Sequence, residues 1–450
     1  MRKKRMTRRD FMRRTASAAG VAVAARTILL DPSELAASPR PVPPSETVRF
    51  GIIGIGMQGS GLLHTAIQIP GVECVAACDL YDGRHDVAKE IVGKPIPTTR
   101  RYQELLDNKD IDCLIAAVPD HWHKQIVVDA CSAGKDIYCE KPMTHAPGEG
   151  FEMIAASQKN QRIVQVGSQR VSSVVFAKAK ELLAKGAIGD VHLVEATMGR
   201  NDPNGAWQYP PPPDLSPQNL DWDTWLGAAP KIPFNPLHYA RWRCWQAYGS
   251  GVAGDLIVHL LSGIHFASGI IQPPSRSLAL GGIYRWKDGR DVPDVHCVLY
   301  DYPQFPVMVR MTLNTDTPEI TRFLGTGGIM EVKGNEITVS TQDGIDHHPG
   351  WYYSSFPKNL REQYAREWHE KNDPVLEKGI ENTTTYRAPE HYDDTKPHLR
   401  NFFAAVRTRQ PVVEDAVFGN GTALACHMAN EAYFTKAIAV WDAAAKKLRT

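Results

Sequence analysis

The 450-residue sequence has no Cys-x-x-Cys pair among its 8 cysteines. It therefore lacks the ligand spacing of a zinc ribbon and a thioredoxin-type redox motif. It also lacks an apolar run of the roughly 20 residues that a transmembrane helix needs, and it has no internal repeat. After position 40 the chain carries 41 basic and 47 acidic residues. This negative body disfavours nucleic-acid binding, because phosphate backbones attract positive charge.

What is present fits a soluble globular protein with two domains and a tail, since 43% of the residues are hydrophobic and 22% are charged. The tail, residues 1–40, holds ten Lys or Arg residues. Within it, Thr7-Arg8-Arg9-Asp10-Phe11-Met12 resembles a twin-arginine export signal, and a run of small apolar residues follows from 15 to 25.

We therefore predict a signal peptide over residues 1–38, with cleavage near Ala36-Ala37-Ser38, and a proline-containing linker over residues 39–47. The predicted partner is the twin-arginine export machinery, and the predicted location is periplasmic or otherwise extracytoplasmic. The alternative is a basic amphipathic arm.

A strand, a glycine-rich turn and a helix open the first domain. The apolar residues 48–53 run into Gly54-Ile55-Gly56-Met57-Gln58-Gly59, and a second strand, residues 72–78, ends at Asp79. This is the dinucleotide-binding pattern: the glycines let the backbone approach a pyrophosphate at a helix N-terminus, and the acid accepts ribose hydroxyls. A carboxylate at Asp79 favours NAD over NADP, while Arg84 and His85 nearby keep NADP as the alternative.

Strands and helices continue to alternate up to residue 167, which predicts a doubly wound parallel sheet of six strands over residues 48–167. Ligands bind at the carboxyl ends of such strands. That rule selects Pro119 to His123 after one strand and Glu140-Lys141-Pro142 after another.

Residues 168–450 predict an α+β domain with a mostly antiparallel sheet, because strand-like runs follow one another from 277 to 340 over short connections. A long polar and aromatic segment, residues 200–249 (the aromatic insert), holds five of the 10 tryptophans. Residues 341–395 are predicted to be irregular, and helices are predicted over 399–408 and 421–439, within a helical C-terminal part, residues 397–450.

The glycine turn, Asp79, Glu140-Lys141-Pro142 and the segment Gly251 to His259 resemble the glucose–fructose oxidoreductase / inositol dehydrogenase / MocA family. The resemblance covers residues 48–450. It implies that Lys141 reaches both substrate and nicotinamide, that the loop after Pro119 lies beside them, and that the protein forms homo-oligomers. The cofactor-binding residues predicted from the turn, the strand ends and the resemblance are Gly54, Gly56, Met57, Gln58, Gly59, Asp79, Pro119, His121, His123, Glu140 and Lys141.

Asp255 and His259 are four residues apart, so both lie on one face of a helix that we predict to begin near Gly254. A carboxylate beside an imidazole raises its basicity, and oxidation of an alcohol needs a base near neutrality. We therefore predict that His259 accepts the proton, Asp255 orients it and Lys141 stabilises the oxygen. The alternative is a structural hydrogen-bonded pair of Asp255 and His259.

Four residues are predicted substrate contacts: His123, Arg170, Trp245 and Tyr248. Aromatic faces stack on sugar rings, although a long loop also needs large side chains to hold it in place. His121 and His123 have a spacing that metals accept, but no further ligand cluster accompanies them, so we predict no metal site.

These observations favour an exported NAD(P)-dependent oxidoreductase that moves a hydride between a sugar or polyol carbinol and a tightly bound nicotinamide. Two alternatives stay open. One is an NAD-assisted glycoside hydrolase with no net redox change, and the other is a non-catalytic sugar-binding protein that retains NAD.

Overall fold

A computed structural model describes residues 24–32, 47–342, 344, 346, 348–376 and 382–450. Across these residues the chain builds two β-sheets, one in each predicted domain. No helix in this part of the chain is long and apolar enough to cross a membrane.

The first domain alternates strands and helices. Its elements are β2 (Val48–Ile53), α1 (Met57–Ala66), β3 (Val72–Cys78), α2 (Asp82–Val92), β4 (Thr98–Thr99), α3 (Tyr102–Asp107), β5 (Cys113–Ala116), α4 (His123–Ser132), β6 (Asp136–Glu140), α5 (Glu149–Asn160) and β7 (Val164–Gly167).

Within the described residues the strands of this domain form a six-stranded sheet in the order β4-β3-β2-β5-β6-β7, and every pairing is parallel. Strands β5, β6 and β7 are buried at every residue, because helices cover both faces of the sheet. The predicted doubly wound parallel sheet is confirmed. One of its strands, β4, has only two residues and is too short to carry a hydrophobic pattern.

The second domain is built on one large sheet. Its elements are α6 (Val174–Ala184), β8 (Val191–Gly199), α7 (Trp222–Leu226), α8 (Pro236–Ala240), α9 (Val258–Ser268), β9 (Arg276–Gly282), β10 (Val295–Asp301), β11 (Pro306–Thr312), β12 (Thr317–Gly325), β13 (Gly328–Lys333), β14 (Glu336–Thr341), α10 (Lys358–Leu376), β15 (Asn382–Arg387), α11 (Thr395–Thr408), α12 (Ala416–Thr435), β16 (Ala439–Asp442) and β17 (Lys447–Arg449).

With β1 (Ala24–Leu29), the sheet has 11 strands in the described part of the chain, in the order β1-β15-β14-β13-β12-β8-β11-β10-β9-β16-β17. Strands β1 and β15 pair in parallel, as do β8 and β11, and the other pairings are antiparallel. The predicted mostly antiparallel sheet is confirmed.

Three predictions about the second domain are wrong. Residues 341–395 are not irregular throughout, because they contain α10 and β15, whose sequences are rich in polar residues. The helix predicted for 421–439 begins earlier, where Asp415 caps it, and ends at Lys436 with φ of 56°. The residues after Lys436 are not helical. They form β16, which pairs with β9, and β17, which pairs with β16.

Helix α12 contacts both domains, and α9 packs against it. Both are buried along most of their length, and α12 packs against β9 on one side and against β7 and α5 of the first domain on the other. The predicted helix near Gly254 begins as a wide π turn, Ala253–Ile257, before α9 continues as a regular helix. Such turns are frequent at functional sites because they redirect side chains.

Most of the predicted signal peptide and linker, residues 1–23 and 33–46, lies outside the described residues. The predicted cleavage position falls in that part. Strand β1 comes from the predicted signal segment and forms an edge of the large sheet beside β15.

Candidate functional site

The glycine-rich turn joins β2 to the N-terminus of α1. Gly54 has φ of 86°, and a Cβ there would lie 2.5 Å from the carbonyl oxygen of Ala117. A Cβ on Gly59 would lie 2.0 Å from the carbonyl oxygen of Gly54. A Cβ on Gly56 would meet nothing within 4 Å, so this backbone faces open space at the helix N-terminus. The turn therefore fits a dinucleotide pyrophosphate.

Gly56 and Gly59 form a matched pair for a test. Gly56→Ala places a methyl group in the open space and should weaken NAD binding at least tenfold while the unfolding temperature stays near wild type. Gly59→Ala places the same group against backbone and should lower the unfolding temperature by several degrees. Calorimetric NAD titration and thermal unfolding measure both effects. Equal NAD affinity in Gly56→Ala and wild type would contradict this role.

Asp79 ends β3 at the same edge of the sheet. Its carboxylate accepts hydrogen bonds from the backbone N–H groups of Ile55, at 2.8 Å, and Tyr81, at 3.0 Å. Burial raises the pKa of Asp79, and these two donors oppose that change. Each oxygen keeps a lone pair for the ribose hydroxyls of a nucleotide.

A cavity of about 380 Å³ runs along the carboxyl edge of the parallel sheet. Its walls include eight of the predicted cofactor-binding residues: Gly54, Gly56, Met57, Gln58, Asp79, Pro119, Glu140 and Lys141. The aromatic insert covers the cavity with Tyr209, Pro210, Pro212, Thr224, Trp225, Tyr239, Trp242 and Arg243. Gly59, His121 and His123 are not among the lining residues.

The aromatic insert is attached to the first domain by backbone and side-chain contacts. The backbone N–H of Asp82 donates to the carbonyl of Asn219 at 3.0 Å, and that of Asp221 donates to the carbonyl of Leu80 at 3.1 Å. The hydroxyl of Tyr81 also bonds Asp214 of the insert. These contacts close the cavity over the end where Asp79 lies.

Glu140 is buried behind the cavity. Its Oε1 accepts hydrogen bonds from Gln58 Nε2 at 2.9 Å and from Gln169 Nε2 at 3.0 Å. Burial raises the pKa of Glu140, against the effects of Lys141 and Gln58. The carboxyl thus joins the first turn of α1 to the end of β6 and positions the next residue, Lys141.

Lys141 meets Asp255 at the inner end of the cavity. Lys141 Nζ donates to Asp255 Oδ1 at 2.8 Å and to the carbonyl oxygen of Asp255 at 2.7 Å. Arg243 Nε donates to the same Oδ1 at 3.0 Å, and the indole N–H of Trp207 donates to Oδ2 at 3.1 Å. Burial alone would raise the pKa of Asp255, but Lys141 and Arg243 hold it well below its usual value. The carboxylate is therefore charged and fully engaged at neutral pH.

His259 lies half-buried beside this group, and neither ring nitrogen has a hydrogen-bond partner among the described residues. Burial, and then the charges of Lys141 and Arg170, lower the pKa of His259 well below its usual value despite Asp255. The predicted hydrogen bond that orients His259 through Asp255 is wrong, because the carboxylate binds two cations and an indole instead. His259 is not among the residues that line the cavity.

The two histidines after Pro119 do not line the cavity. His123 is completely buried, with Nδ1 at 2.7 Å from the carbonyl oxygen of Pro142 and Nε2 at 3.0 Å from that of Val118. His121 lies against the carbonyl oxygens of Tyr248 and Trp225, and burial lowers its pKa to about 4. Both rings hold loops together. Among the described residues no group of His, Cys, Asp and Glu is arranged to bind a metal ion.

The other predicted substrate contacts also have structural partners. Tyr248 is buried and its hydroxyl bonds His238 at 3.0 Å, while Trp245 stacks on the same His238 with ring centroids 3.8 Å apart. Neither lines the cavity. Arg170 is paired with Glu319 and Asp394 at 3.0 and 3.1 Å. The structure agrees with the alternative role of these aromatic residues, which is to hold a long loop in place.

The predicted site residues do not include Arg243, Trp207 and Tyr209, although the arginines of the aromatic insert are donors that a sugar site could use. Arg243 and Tyr209 line the cavity, and Trp207 is fully buried with its N–H on Asp255. All three belong to the aromatic insert, which has no periodic pattern. Only the concentration of aromatic and arginine side chains there pointed to a binding role.

Residues 48–168 match the model of an oxidoreductase family, described as the NAD-binding Rossmann fold of the Gfo/Idh/MocA oxidoreductases. The matched segment makes up about a quarter of the chain.

Similar proteins extend this finding. The inositol 2-dehydrogenase of Salmonella paratyphi B is 33% identical over 150 residues, which are 33% of this chain and 45% of that enzyme. A glycosyl hydrolase family 109 protein of Shewanella pealeana is 30% identical over 129 residues, 27% of this chain and 28% of that protein. The chain thus aligns with less than half the length of these curated relatives.

The whole fold has solved counterparts. A levoglucosan dehydrogenase in complex with NADH and levoglucosan superposes with a TM-score of 0.63 at 18% identity, covering 87% of this chain and 98% of that one. At this identity the likeness establishes the shared two-domain fold.

Proposed function

We propose that this protein is an NAD-dependent oxidoreductase of the Gfo/Idh/MocA type that interconverts a carbinol and a carbonyl group of a sugar or polyol. The observation that carries the proposal is the placement of Lys141, held by Asp255, in the wall of the cavity that the glycine turn and Asp79 also line. The names of the similar inositol and levoglucosan dehydrogenases support the substrate class.

Gly54, Gly56, Gly59 and Asp79 would hold NAD, which when bound supplies the acceptor for the hydride of the carbinol carbon. The chain provides the acid–base chemistry. Lys141 has three N–H donors, and Asp255 accepts two of them, so one is left for the substrate oxygen. Its fixed charge stabilises the oxygen as the hydroxyl proton leaves.

His259 receives that proton. A base must be unprotonated to act, and burial together with the charges of Lys141 and Arg170 lowers the pKa of His259, which favours the neutral ring. Asp255 acts on Lys141 rather than on His259. The Asp255 carboxylate holds the Lys141 ammonium in place. Arg243 and the indole N–H of Trp207 also donate hydrogen bonds to this carboxylate and stabilise its negative charge.

We further propose that the chain is exported through the twin-arginine pathway, on the strength of Arg8-Arg9 and the apolar run after them. Replacing Arg8 and Arg9 together by Lys should abolish accumulation outside the cytoplasm of a bacterial host with that pathway. The same change at Arg13 and Arg14 is the matched control and should leave export intact. Normal export of the Arg8/Arg9 variant would contradict this route.

Export favours a cofactor that stays bound, because a protein folded before export can carry NAD with it. The attachment of the aromatic insert over the Asp79 end of the cavity supports retention, since release requires those contacts to open. One sugar would then reduce the bound cofactor and a second would reoxidise it.

A second candidate function is NAD-assisted glycoside hydrolysis, which the similarity to a glycosyl hydrolase family 109 protein favours. The same residues would oxidise a carbinol transiently, and a glycosidic bond would break before the carbonyl is reduced again.

Product analysis separates these functions. The purified protein is incubated with sugars, polyols and glycosides, with no cofactor added, and products are quantified by chromatography. An oxidoreductase yields oxidised sugar only up to the amount of bound cofactor until an acceptor sugar is added. A glycosidase releases free sugar over many turnovers. Sugar binding with neither product would support the non-catalytic alternative and contradict both enzymatic proposals.

A further inference from the structure

Arg243 of the aromatic insert has hydrogen-bond donors without partners in the wall of the cavity. Its Nε donates to Asp255 Oδ1 at 3.0 Å, and its two terminal nitrogens form no hydrogen bond with any described residue. Both terminal nitrogens remain in contact with solvent, and Arg243 lines the cavity. The ring of Trp242 packs against the guanidinium, with 4.2 Å between the ring centroid and Cζ. The guanidinium is therefore held in place while its terminal donors are accessible from the cavity.

One oxygen atom of Asp255 places Arg243 beside Lys141. Lys141 Nζ and Arg243 Nε both lie within 3.0 Å of Asp255 Oδ1. Arginine commonly binds both oxygens of a carboxylate, but here the indole N–H of Trp207 donates to Oδ2 at 3.1 Å. Lys141 also keeps one N–H after its two bonds to Asp255. Two cations that are fixed to the same atom thus present unused donors beside each other in the cavity wall.

Trp207 is held in a strained conformation by the fold around it. It is completely buried, and its φ of 63° lies in the left-handed region that bulky residues rarely adopt. Its backbone N–H donates to the carbonyl of Asn204 at 3.0 Å, and Arg290 packs over its ring, with 5.9 Å between Cζ and the ring centroid. Such strain persists only where surrounding contacts maintain it, and it is concentrated at functional sites. The contact of Trp207 with Asp255, which leaves the terminal donors of Arg243 available, is therefore maintained by the insert.

We propose that Arg243 determines substrate specificity by donating to the hydroxyl group on a carbon next to the reacting carbinol. The inference rests on the proposed function for its reaction, and it narrows the substrate to a sugar or polyol with a vicinal diol. Lys141 donates to the reacting oxygen, and Arg243, fixed to the same atom of Asp255, donates to the neighbouring oxygen. A substrate without that second hydroxyl leaves donors of a side chain that is only 19% exposed unpaired, and it is therefore discriminated against.

Deoxy analogues test this inference in the wild-type protein. The best substrate among glucose, galactose, mannose and myo-inositol is identified first, and its oxidised product locates the reacting carbon. Analogues of this parent compound that each lack one other hydroxyl are then compared with it. Loss of the hydroxyl on at least one adjacent carbon should lower kcat/KM about 10- to 100-fold, because the donors of Arg243 are left unpaired.

The variant Arg243→Lys shows whether Arg243 causes that discrimination. Lysine keeps the positive charge beside Asp255 and removes the terminal guanidinium donors. The kcat/KM values of the parent and the adjacent deoxy analogue should then agree within about threefold, while the ratios for more distant hydroxyls stay as in wild type. Arg241→Lys is the matched control, because Arg241 binds the carbonyl of Tyr209 at 3.1 Å and Gln208 Oε1 at 2.7 Å and does not line the cavity. It should keep the wild-type discrimination.

Calorimetric titration of the NAD-loaded proteins and their cofactor content give independent readouts. Equal kcat/KM of wild type for the parent and both adjacent deoxy analogues, or wild-type discrimination in Arg243→Lys, would overturn the inference. Loss of bound NAD from Arg243→Lys would also overturn it and place Arg243 in the cofactor site. Binding without oxidation that weakens on loss of one hydroxyl in wild type, but not in Arg243→Lys, would contradict the proposed function and support the hydroxyl contact. Neither binding nor oxidation of any compound would overturn both.

Discussion

Lys141→Met is expected to lower kcat by about 10²–10⁴-fold while NAD stays bound. Methionine keeps the length of the side chain but supplies neither the charge nor the N–H for the substrate oxygen. The glycine turn and Asp79 are untouched, so the cofactor site should persist. Steady-state kinetics and the cofactor content of the purified variant measure the two effects.

Lys135→Met is the matched control for this substitution. Lys135 is also buried in the first domain, but its Nζ bonds the carbonyl oxygens of Asn108 and Ile111, away from the cavity. The Lys135→Met substitution should lower the unfolding temperature and leave kcat per folded molecule unchanged. A kcat within threefold of wild type for Lys141→Met would remove Lys141 from the reaction.

Asp255→Ala is expected to lower the free energy of unfolding by ~3–5 kcal/mol, because it leaves two buried cations without their counter-charge. The side chains of Lys141, Asp255 and Arg243 are only 11%, 14% and 19% exposed, so solvent replaces the lost partner poorly. Denaturant unfolding measures the change. Asp301→Ala removes the partner of Arg276 from an exposed pair and should cost at most about 1 kcal/mol.

The contribution of Asp255 to the free energy of unfolding depends on pH. Lys141 and Arg243 hold the pKa of Asp255 below its value in the unfolded chain, despite burial. The stabilisation is therefore complete above the unfolded pKa of about 4 and is lost as the pH falls below it. The difference between wild type and Asp255→Ala should be constant from about pH 5 to pH 8 and shrink in stronger acid. If Asp255→Ala is as stable as wild type at pH 7, Asp255 does not stabilise the fold by binding Lys141 and Arg243.

The sequence predicted the first domain well because its signals are local. Buried strands such as β5 and β6 are continuous apolar runs, and the Gly54 to Gly59 turn carries a spacing that sterics require. Sequence motifs selected Lys141, Asp255 and His259 as site residues. In the structure, Lys141 and Asp255 are in direct contact beside the cavity. Their pairing was assigned wrongly, since no local pattern reveals that Arg243 and Trp207 reach Asp255.

Long-range contacts limited the rest. His123 and Tyr248 have the right residue types for substrate binding, yet backbone carbonyls and His238 occupy their polar atoms. Strand β15 has a polar sequence, and its structure depends on pairing with β14, a strand about 45 residues earlier in the chain. Arg243 lies in an irregular segment, and its place beside the site follows only from its long-range contact with Asp255.

The most direct test of the proposed chemistry is an absorbance spectrum of the purified protein before and after the addition of sugars, with no cofactor supplied. The account predicts a bound nicotinamide that becomes reduced by one sugar class in stoichiometric amount. In His259→Ala the nicotinamide should stay bound and oxidised. Absence of bound nicotinamide, together with an unchanged spectrum when NAD and every sugar are added, would contradict the account.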